Sequence, residues 1–221
     1  MSQILVTVTM QFLAPSFAVH MKAYGFSPQF IGICFAVPGI MYASFAPLMY
    51  LFTRRAPKRA VMVFGILLNA VGMFFVGTSK TLGLENNPAM ILFGLMILGA
   101  SFAITSIPVL PEMLEAVETR SNFNYNKEEL DNYISGLFVI SAGFGEALGP
   151  ILSSFLNDKY GFRESQDLFA NGTVCFAIIY FLCAGHVKML WKTRKERQLS
   201  SPIPPKHLDL DVIIEEEYTI D

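Results

Sequence analysis

The chain has 221 residues, of which 53% are apolar and only 15% carry a charge, with 16 basic residues against 18 acidic ones. Soluble domains usually carry about 25% charged residues, so this composition favours a chain that lies in lipid, and its near-neutral balance gives no sign of nucleic-acid binding. The sequence contains no glycine-rich phosphate loop, no Ser/His/Asp arrangement and no cysteine spacing of a metal site. We therefore expect a membrane protein that is not an enzyme and that uses no cofactor or metal.

Six apolar segments follow one another along the chain. They span residues 2–20, 30–52, 60–79, 88–111, 133–156 and 168–187. Each has about the 20 residues that a helix needs to cross the hydrocarbon, and Glu146 is the only Asp, Glu, Lys or Arg inside them. The first segment lacks the basic start and the cleavage site of a signal peptide, so we expect it to be retained. The sequence thus predicts an all-α domain with six transmembrane helices in residues 1–192.

Basic residues collect at three places outside the apolar segments. Four of them, Arg54, Arg55, Lys58 and Arg59, follow the second helix, two lie between the fourth and fifth helices, and six follow the sixth helix. Twelve basic residues therefore lie on one side of the membrane and four on the other. Because the side richer in lysine and arginine faces the cytosol, this bias predicts that both termini are cytosolic.

The long connection at 109–132 divides the six helices into three and three. It mixes apolar with charged residues, which is typical of a helix at the membrane surface. The runs PLMYLFTRRAPKR and GPILSSFLNDKYGFR leave the second and the fifth helix, and each passes from a helix end into a basic or mixed turn. This similarity is what an inverted 3+3 repeat would leave in a sequence.

The C-terminal segment comprises residues 193–221, and from Ser200 onward it is proline-spaced and then acidic. Such a composition predicts a disordered cytosolic tail. Within it, Asp209 followed by Ile213 and Ile214 resembles an acidic dileucine-type sorting signal for vesicular or endolysosomal membranes. A simple solvated tail is the alternative interpretation.

Three runs of sequence resemble a known family. They are FLAPSFAVHMKAYGFSPQFIGICFA, TSIPVLPEML and GFGEALGPILSSFLNDKYGFR. These runs are similar to helices 7, 10 and 11 of the major facilitator superfamily, and most of all to its vesicular amine and polyamine transporter branch. The resemblance covers about residues 1–192 and only the C-terminal six of the family's twelve helices. It implies two six-helix halves that rock around a central site, where membrane carboxylates exchange protons for an organic cation.

Two patterns of that branch are altered in this chain. Ala14 stands where the first helix of this half often carries an acid just before the proline, so one proposed cation-binding carboxylate is missing. Tyr50 and Arg54 stand at the matching places of a G-x-x-x-D pattern, which weakens the expected gating contact. Glu112, the acid of the PE pair, is present, and Glu115 stands where vesicular amine carriers tend to have an aspartate.

Glu146 is the principal candidate for a functional residue. A carboxylate near the middle of a transmembrane helix costs about 3 kcal/mol on insertion scales, so it normally faces a cavity or a partner. It is either a proton or cation site in a transport pathway or a protonated acid that hydrogen-bonds across a helix interface, for example to Asn69 or Ser101. The other polar residues that line the pathway or bond between helices are Gln11, Asn69, Ser101 and Thr105.

Glu112 and Glu115 are candidates for a cytosolic gate. Their three-residue spacing places them on one face of a continuing helix, within reach of Arg54, Arg55 or Arg59. The alternative is that both acids are solvated at the interface. Helix bends are expected at Pro38, Pro108, Gly149 and Pro150.

The sequence therefore predicts secondary transport of a small organic solute across the lipid bilayer, most of all an amine or polyamine exchanged for protons. A missing N-terminal half or a second copy of the chain would complete the transporter. The alternatives are a non-transporting scaffold subunit of a larger membrane assembly, or a truncated form of a complete transporter.

Overall fold

The computed structural model describes residues 1–53, 56–79, 83–84, 87–120 and 127–183, and every regular element in those ranges is an α-helix. The helices are α1 Ser2–Ala23, α2 Pro28–Thr53, α3 Lys58–Val76, α4 Pro88–Ser106, α5 Val109–Arg120, α6 Lys127–Tyr160 and α7 Phe162–Cys183. Six segments of the described chain are long and apolar enough to cross a membrane, one of them running from α4 into α5. The predicted all-α fold with six membrane-spanning helices is confirmed.

A turn at Ile107 and Pro108 separates α4 from α5. Proline has no N–H to continue the hydrogen bonds of the preceding helix, and α5 restarts with the Glu112 N–H bonded to the Pro108 carbonyl at 3.1 Å. The short helix α5 lies where the sequence predicted a surface helix. Arg54, Arg55 and the tail at 193–221 lie outside the described residues.

The six spanning helices form two triplets, and helices of one triplet pack against helices of the other. The first triplet is α1, α2 and α3, and the second is α4, α6 and α7. The first helix of each triplet packs along the second helix of the other, α1 against α6 and α4 against α2, while α3 packs against both α4 and α7. Because a triplet crosses the membrane three times, the second triplet starts on the opposite side from the first. This arrangement is an inverted 3+3 repeat.

Glycines bring α6 close to α1 and α4 close to α2. A methyl group at Gly145 would lie 2.6 Å from Thr7 Cβ, and one at Gly149 would lie 2.5 Å from Gln11 Cβ. At the other crossing, a methyl group at Gly99 of α4 would lie 2.7 Å from Pro38 Cα on α2. The absence of a side chain at these positions allows α6 to contact α1, and α4 to contact α2, backbone to backbone.

The core lies around α1. Phe12, Phe17 and Met21 are fully buried there, and Phe12 stacks on Phe169 of α7 with 4.4 Å between ring centroids. In contrast, α2 and α6 bury the smallest share of their residues and carry many of the exposed large apolar side chains. Such apolar surfaces suit contact with lipid or with further membrane helices.

Candidate functional site

Two ion pairs join α3 to α5 at one end of the bundle. The Arg59 Nε lies 2.5 Å from Glu112 Oε1, and the Lys58 Nζ lies 2.5 Å from Glu115 Oε1. Lys58 also donates to the Pro111 carbonyl at 3.4 Å. The four charged side chains are between 9% and 20% exposed, so the pairs are largely shielded from water. We call Lys58, Arg59, Glu112 and Glu115 the ion-pair cluster.

Helix boundaries place these four residues. Pro57 precedes α3 in an extended conformation, so Lys58 and Arg59 become the first two residues of the helix. Cations are unfavourable at the positive end of a helix dipole, and the two acids offset this cost. Glu112 lies in the first turn of α5, where an acid is favourable, and Glu115 follows one turn later on the same face.

The sequence anticipated acids on one face of a helix next to the basic turn. The structure brings Arg59 together with Glu112, while Arg54 and Arg55 lie outside the described residues. It adds Lys58, which sequence reasoning used only as a topology signal. The signal for Lys58 was its place directly after Pro57, because a proline has no N–H to continue a preceding helix and often stands where the next helix starts, so the basic residues that follow it begin α3.

A buried polar cluster joins α3 to α4 within the membrane-spanning region. Asn69 Nδ2 donates to Ser101 Oγ at 3.3 Å, and Ser101 Oγ donates to the Leu98 carbonyl at 2.8 Å. Thr105 lies one turn further along α4 and is also fully buried. Asn69 Oδ1 and Thr105 Oγ1 have no hydrogen-bond partner among the described residues. Gln11 lies apart from this cluster, partly buried on α1 beside Gly149.

Glu146 is exposed on α6, beside the line along which α6 contacts α1. Its neighbours three and four residues away are small: Gly143 is exposed, Ala142 and Pro150 are partly buried, and Gly149 is buried. Most of the large exposed apolar residues of α6 follow a separate stripe, which contains Leu137, Ile140, Phe144, Leu148, Ile151, Leu152 and Phe155. Val139, which is 66% exposed, lies instead two turns before Glu146 on the same side of the helix. Glu146 therefore lies outside the stripe that best suits lipid, and its nearest neighbours along the helix surface are small.

The opposite end of the bundle is held by a different kind of contact. Arg163, the second residue of α7, donates from Nε to the Thr78 carbonyl at 3.0 Å and from Nη2 to the Leu84 carbonyl at 2.9 Å. His20 of α1 stacks on Phe162 with 4.0 Å between ring centroids. Arg163 occupies the same position in α7 as Arg59 does in α3. Sequence reasoning counted Arg163 only for topology, although both arginines end the two similar runs.

No group of three or more His, Cys, Asp or Glu side chains in the described ranges could hold a metal ion. Cys34 is buried and Cys175 is exposed, and both are free thiols.

The comparisons identify the family. A family model described as Major Facilitator Superfamily matches residues 1–214. The chain belongs to the Major Facilitator Superfamily. It is 30% identical over 155 residues to the "MFS-type transporter SLC18B1" of Rattus norvegicus, a match that covers 69% of this chain and 34% of the relative. The protein of the same name from Homo sapiens is 26% identical over 195 residues, covering 87% of this chain and 41% of the relative.

These matches confirm the family resemblance drawn from the sequence, including the vesicular amine-like branch. The family points to transport rather than to enzymatic chemistry, and together with the six apolar helices it makes the chain an integral, multi-pass membrane protein. The chain matches at most 41% of the length of these relatives.

Proposed function

We propose that this superfamily member takes part in secondary active transport of a small organic solute, an amine or polyamine exchanged for protons by alternating access. The observation that carries the proposal is Glu146, an exposed acid in a membrane-spanning helix with small residues three and four positions away. An acid at that depth is costly in lipid, so it is expected to face water or another polar group. Of the two interpretations drawn from the sequence, its exposure favours the transport pathway, and Asn69 is already bonded to Ser101.

A pathway along this side of α6 needs a second wall. The relatives are longer than this chain, which matches 34% and 41% of their length. We propose that a further six-helix half, or a second copy of the chain, covers the exposed sides of α2 and α6. Glu146 and the partly buried Gln11, which lie near the contact between α1 and α6, would then border the path. Asn69 and Ser101 join α3 to α4 by a hydrogen bond, and Thr105 is buried at the same contact between these helices.

The ion-pair cluster is proposed as a gate at one end of this path. Its pairs connect the third helix of the first triplet to α5, which continues the first helix of the second triplet. When this half rocks against a second half, any shift of α3 relative to α5 would break or rearrange these pairs. We propose that this end faces the cytosol, with both termini on that side, because basic residues collect there. A vesicular or endolysosomal location is a further proposal that rests on the sequence of the tail.

The experiment compares Glu146→Gln with the unchanged chain in proteoliposomes, alone and together with the complementary part of the rat relative. Glutamine keeps the size and hydrogen bonding of the side chain but cannot exchange a proton. We expect polyamine uptake driven by an imposed pH gradient to be lost, while exchange at equal pH persists. Glu128→Gln, at an exposed acid in the first turn of α6, is the control and should transport normally. Uptake at the unchanged rate in Glu146→Gln would remove Glu146 from the proton pathway.

A scaffold subunit is the second candidate, favoured by Ala14. This residue leaves α1 without the acid that the resembling branch often has there. The same liposomes distinguish the two functions. A scaffold would show no uptake in any combination and would nonetheless copurify in stable stoichiometry with another membrane protein.

A further inference from the structure

A groove separate from Glu146 and from the ion-pair cluster lies between α5 and α6. Its volume is about 630 Å³, which is within the range of small-molecule sites. The residues that line it are Met113, Ala116, Val117, Glu129, Leu130, Tyr133, Ile134 and Leu137. On α5 these residues follow helical spacing, at positions 113, 116 and 117, on a face adjacent to the one that carries Glu112 and Glu115. The ion pairs therefore fix one face of α5, and the neighbouring face forms a wall of the groove.

The lining combines an apolar surface with a single carboxylate. Glu129 is the only charged residue among those that line the groove in the described chain, and Tyr133 adds an exposed aromatic ring one turn away. A carboxylate attracts a cation, and the face of a tyrosine ring adds a cation–π contact. The same carboxylate repels the phosphate headgroup of an anionic lipid. At its far end, Leu137 continues into the exposed apolar stripe of α6, so the groove opens towards the lipid-facing surface.

We propose that this groove binds a lipophilic organic cation, an ammonium group on an apolar body that enters from the bilayer. The ammonium lies between Glu129 and Tyr133, and the apolar body lies along Met113, Val117 and Leu137. Glu129 lies in the first turn of α6, where the helix dipole alone would make an acid favourable. Glu128 fulfils that role equally well in the same turn, yet only Glu129 lines the groove. This proposal does not depend on the proposed transport function, because binding is measured without uptake.

The test uses the chain in nanodiscs of zwitterionic lipid and a fluorescent alkyl-trimethylammonium probe. The comparison ligand is its neutral isostere, with a tert-butyl group in place of the trimethylammonium. We expect saturable binding of the cation and about tenfold weaker binding of the isostere, the combined effect of a partly exposed ion pair and a cation–π contact. Equal affinity for both ligands would show that the groove is only a site for acyl chains and would overturn the proposal.

Variants of the groove residues test whether the cation binds between α5 and α6. Glu129→Gln should lower the affinity for the cation to that for the isostere and leave the isostere unaffected. The matched control, Glu128→Gln, removes a charge in the same turn and should change neither. Ala116→Leu should fill the groove and weaken both ligands, with helicity and elution volume checked to show that the chain remains folded. An equal effect of Glu128→Gln and Glu129→Gln, or full cation binding in Ala116→Leu, would contradict binding in the groove.

Discussion

The ion-pair cluster allows a test in which the structure specifies which charges couple. The perturbation is neutralisation of Arg59 and Glu112, singly and together. Removing one partner of an exposed pair costs about 0.2–1 kcal/mol, and removing one partner of a buried pair costs about 3–5 kcal/mol. The side chains of Arg59 and Glu112 are 20% and 9% exposed, so the pair lies between these limits. We expect a loss of about 2 kcal/mol in the free energy of unfolding for Glu112→Gln.

The two single variants should differ in a defined direction. Arg59→Gln removes a cation from the positive end of α3, which recovers about 0.3–1 kcal/mol of the loss. Glu112→Gln instead leaves Arg59 at that helix end and also removes a favourable acid from the first turn of α5. Arg59→Gln should therefore destabilise the chain less than Glu112→Gln. The double variant should cost no more than Glu112→Gln alone, which gives a coupling energy of about 1–2 kcal/mol.

Unfolding can be followed through the thiol of Cys34, which is buried in the folded chain. In a background with Cys175 and Cys183 replaced by serine, a thiol-reactive dye in mild detergent reports the loss of structure around α2. The control is the crossed pair, Arg59→Gln with Glu115→Gln, because Glu115 is bound to Lys58 instead. Its coupling energy should be clearly smaller. Equal coupling for the matched and crossed pairs would refute specific pairing and leave only a general attraction between charges.

Two further predictions concern helix packing and topology. Gly149→Ala should destabilise the chain by about 1–3 kcal/mol, because its methyl group would lie 2.5 Å from Gln11 Cβ. Gly143→Ala, whose methyl group would meet no atom within 4 Å, should be neutral in the same thiol-labelling assay. Equal stability of both variants would contradict the close contact between α1 and α6. In sealed cells, a cysteine at Lys206 should be protected from an impermeant thiol reagent while one at Asn86 should react. Labelling at Lys206 from outside would overturn the proposed orientation.

Much of the fold follows from where charges are absent. Charge-free segments of about 20 residues must be helices in lipid, since no other open structure satisfies the backbone there. The spacing of Glu112 and Glu115 likewise predicted a shared face. Their partners were less predictable, because the choice among four basic residues depends on where α3 begins. That start is fixed by Pro57, and it makes Lys58 and Arg59 the residues that reach α5.

The exposure of Glu146 could not be read from the sequence. Which side of α6 contacts α1 depends on Gly145 and Gly149, and many glycines in the spanning helices offered equivalent contacts. The actual choice depends on the fit against Thr7 and Gln11, which is a property of two helices together. Asn69 and Ser101 illustrate the same difficulty. Each was a recognisable polar residue in a spanning helix, but only the packing of α3 on α4 shows that they bond to each other.

Arg59 and Arg163 occupy equivalent positions in the two triplets, yet they hold the two ends of the bundle by different means. Arg163 donates to the carbonyls of Thr78 and Leu84, so it holds α7 to the backbone that follows α3. Arg59 instead binds a carboxylate on α5, a short helix set off from α4 by the turn at Pro108. Side-chain partners of this kind can separate when water enters, and no helix end has to unfold. The end that carries the ion-pair cluster is therefore held by side chains on both sides of each ion pair, whereas the end at Arg163 is held by one side chain that binds backbone carbonyls.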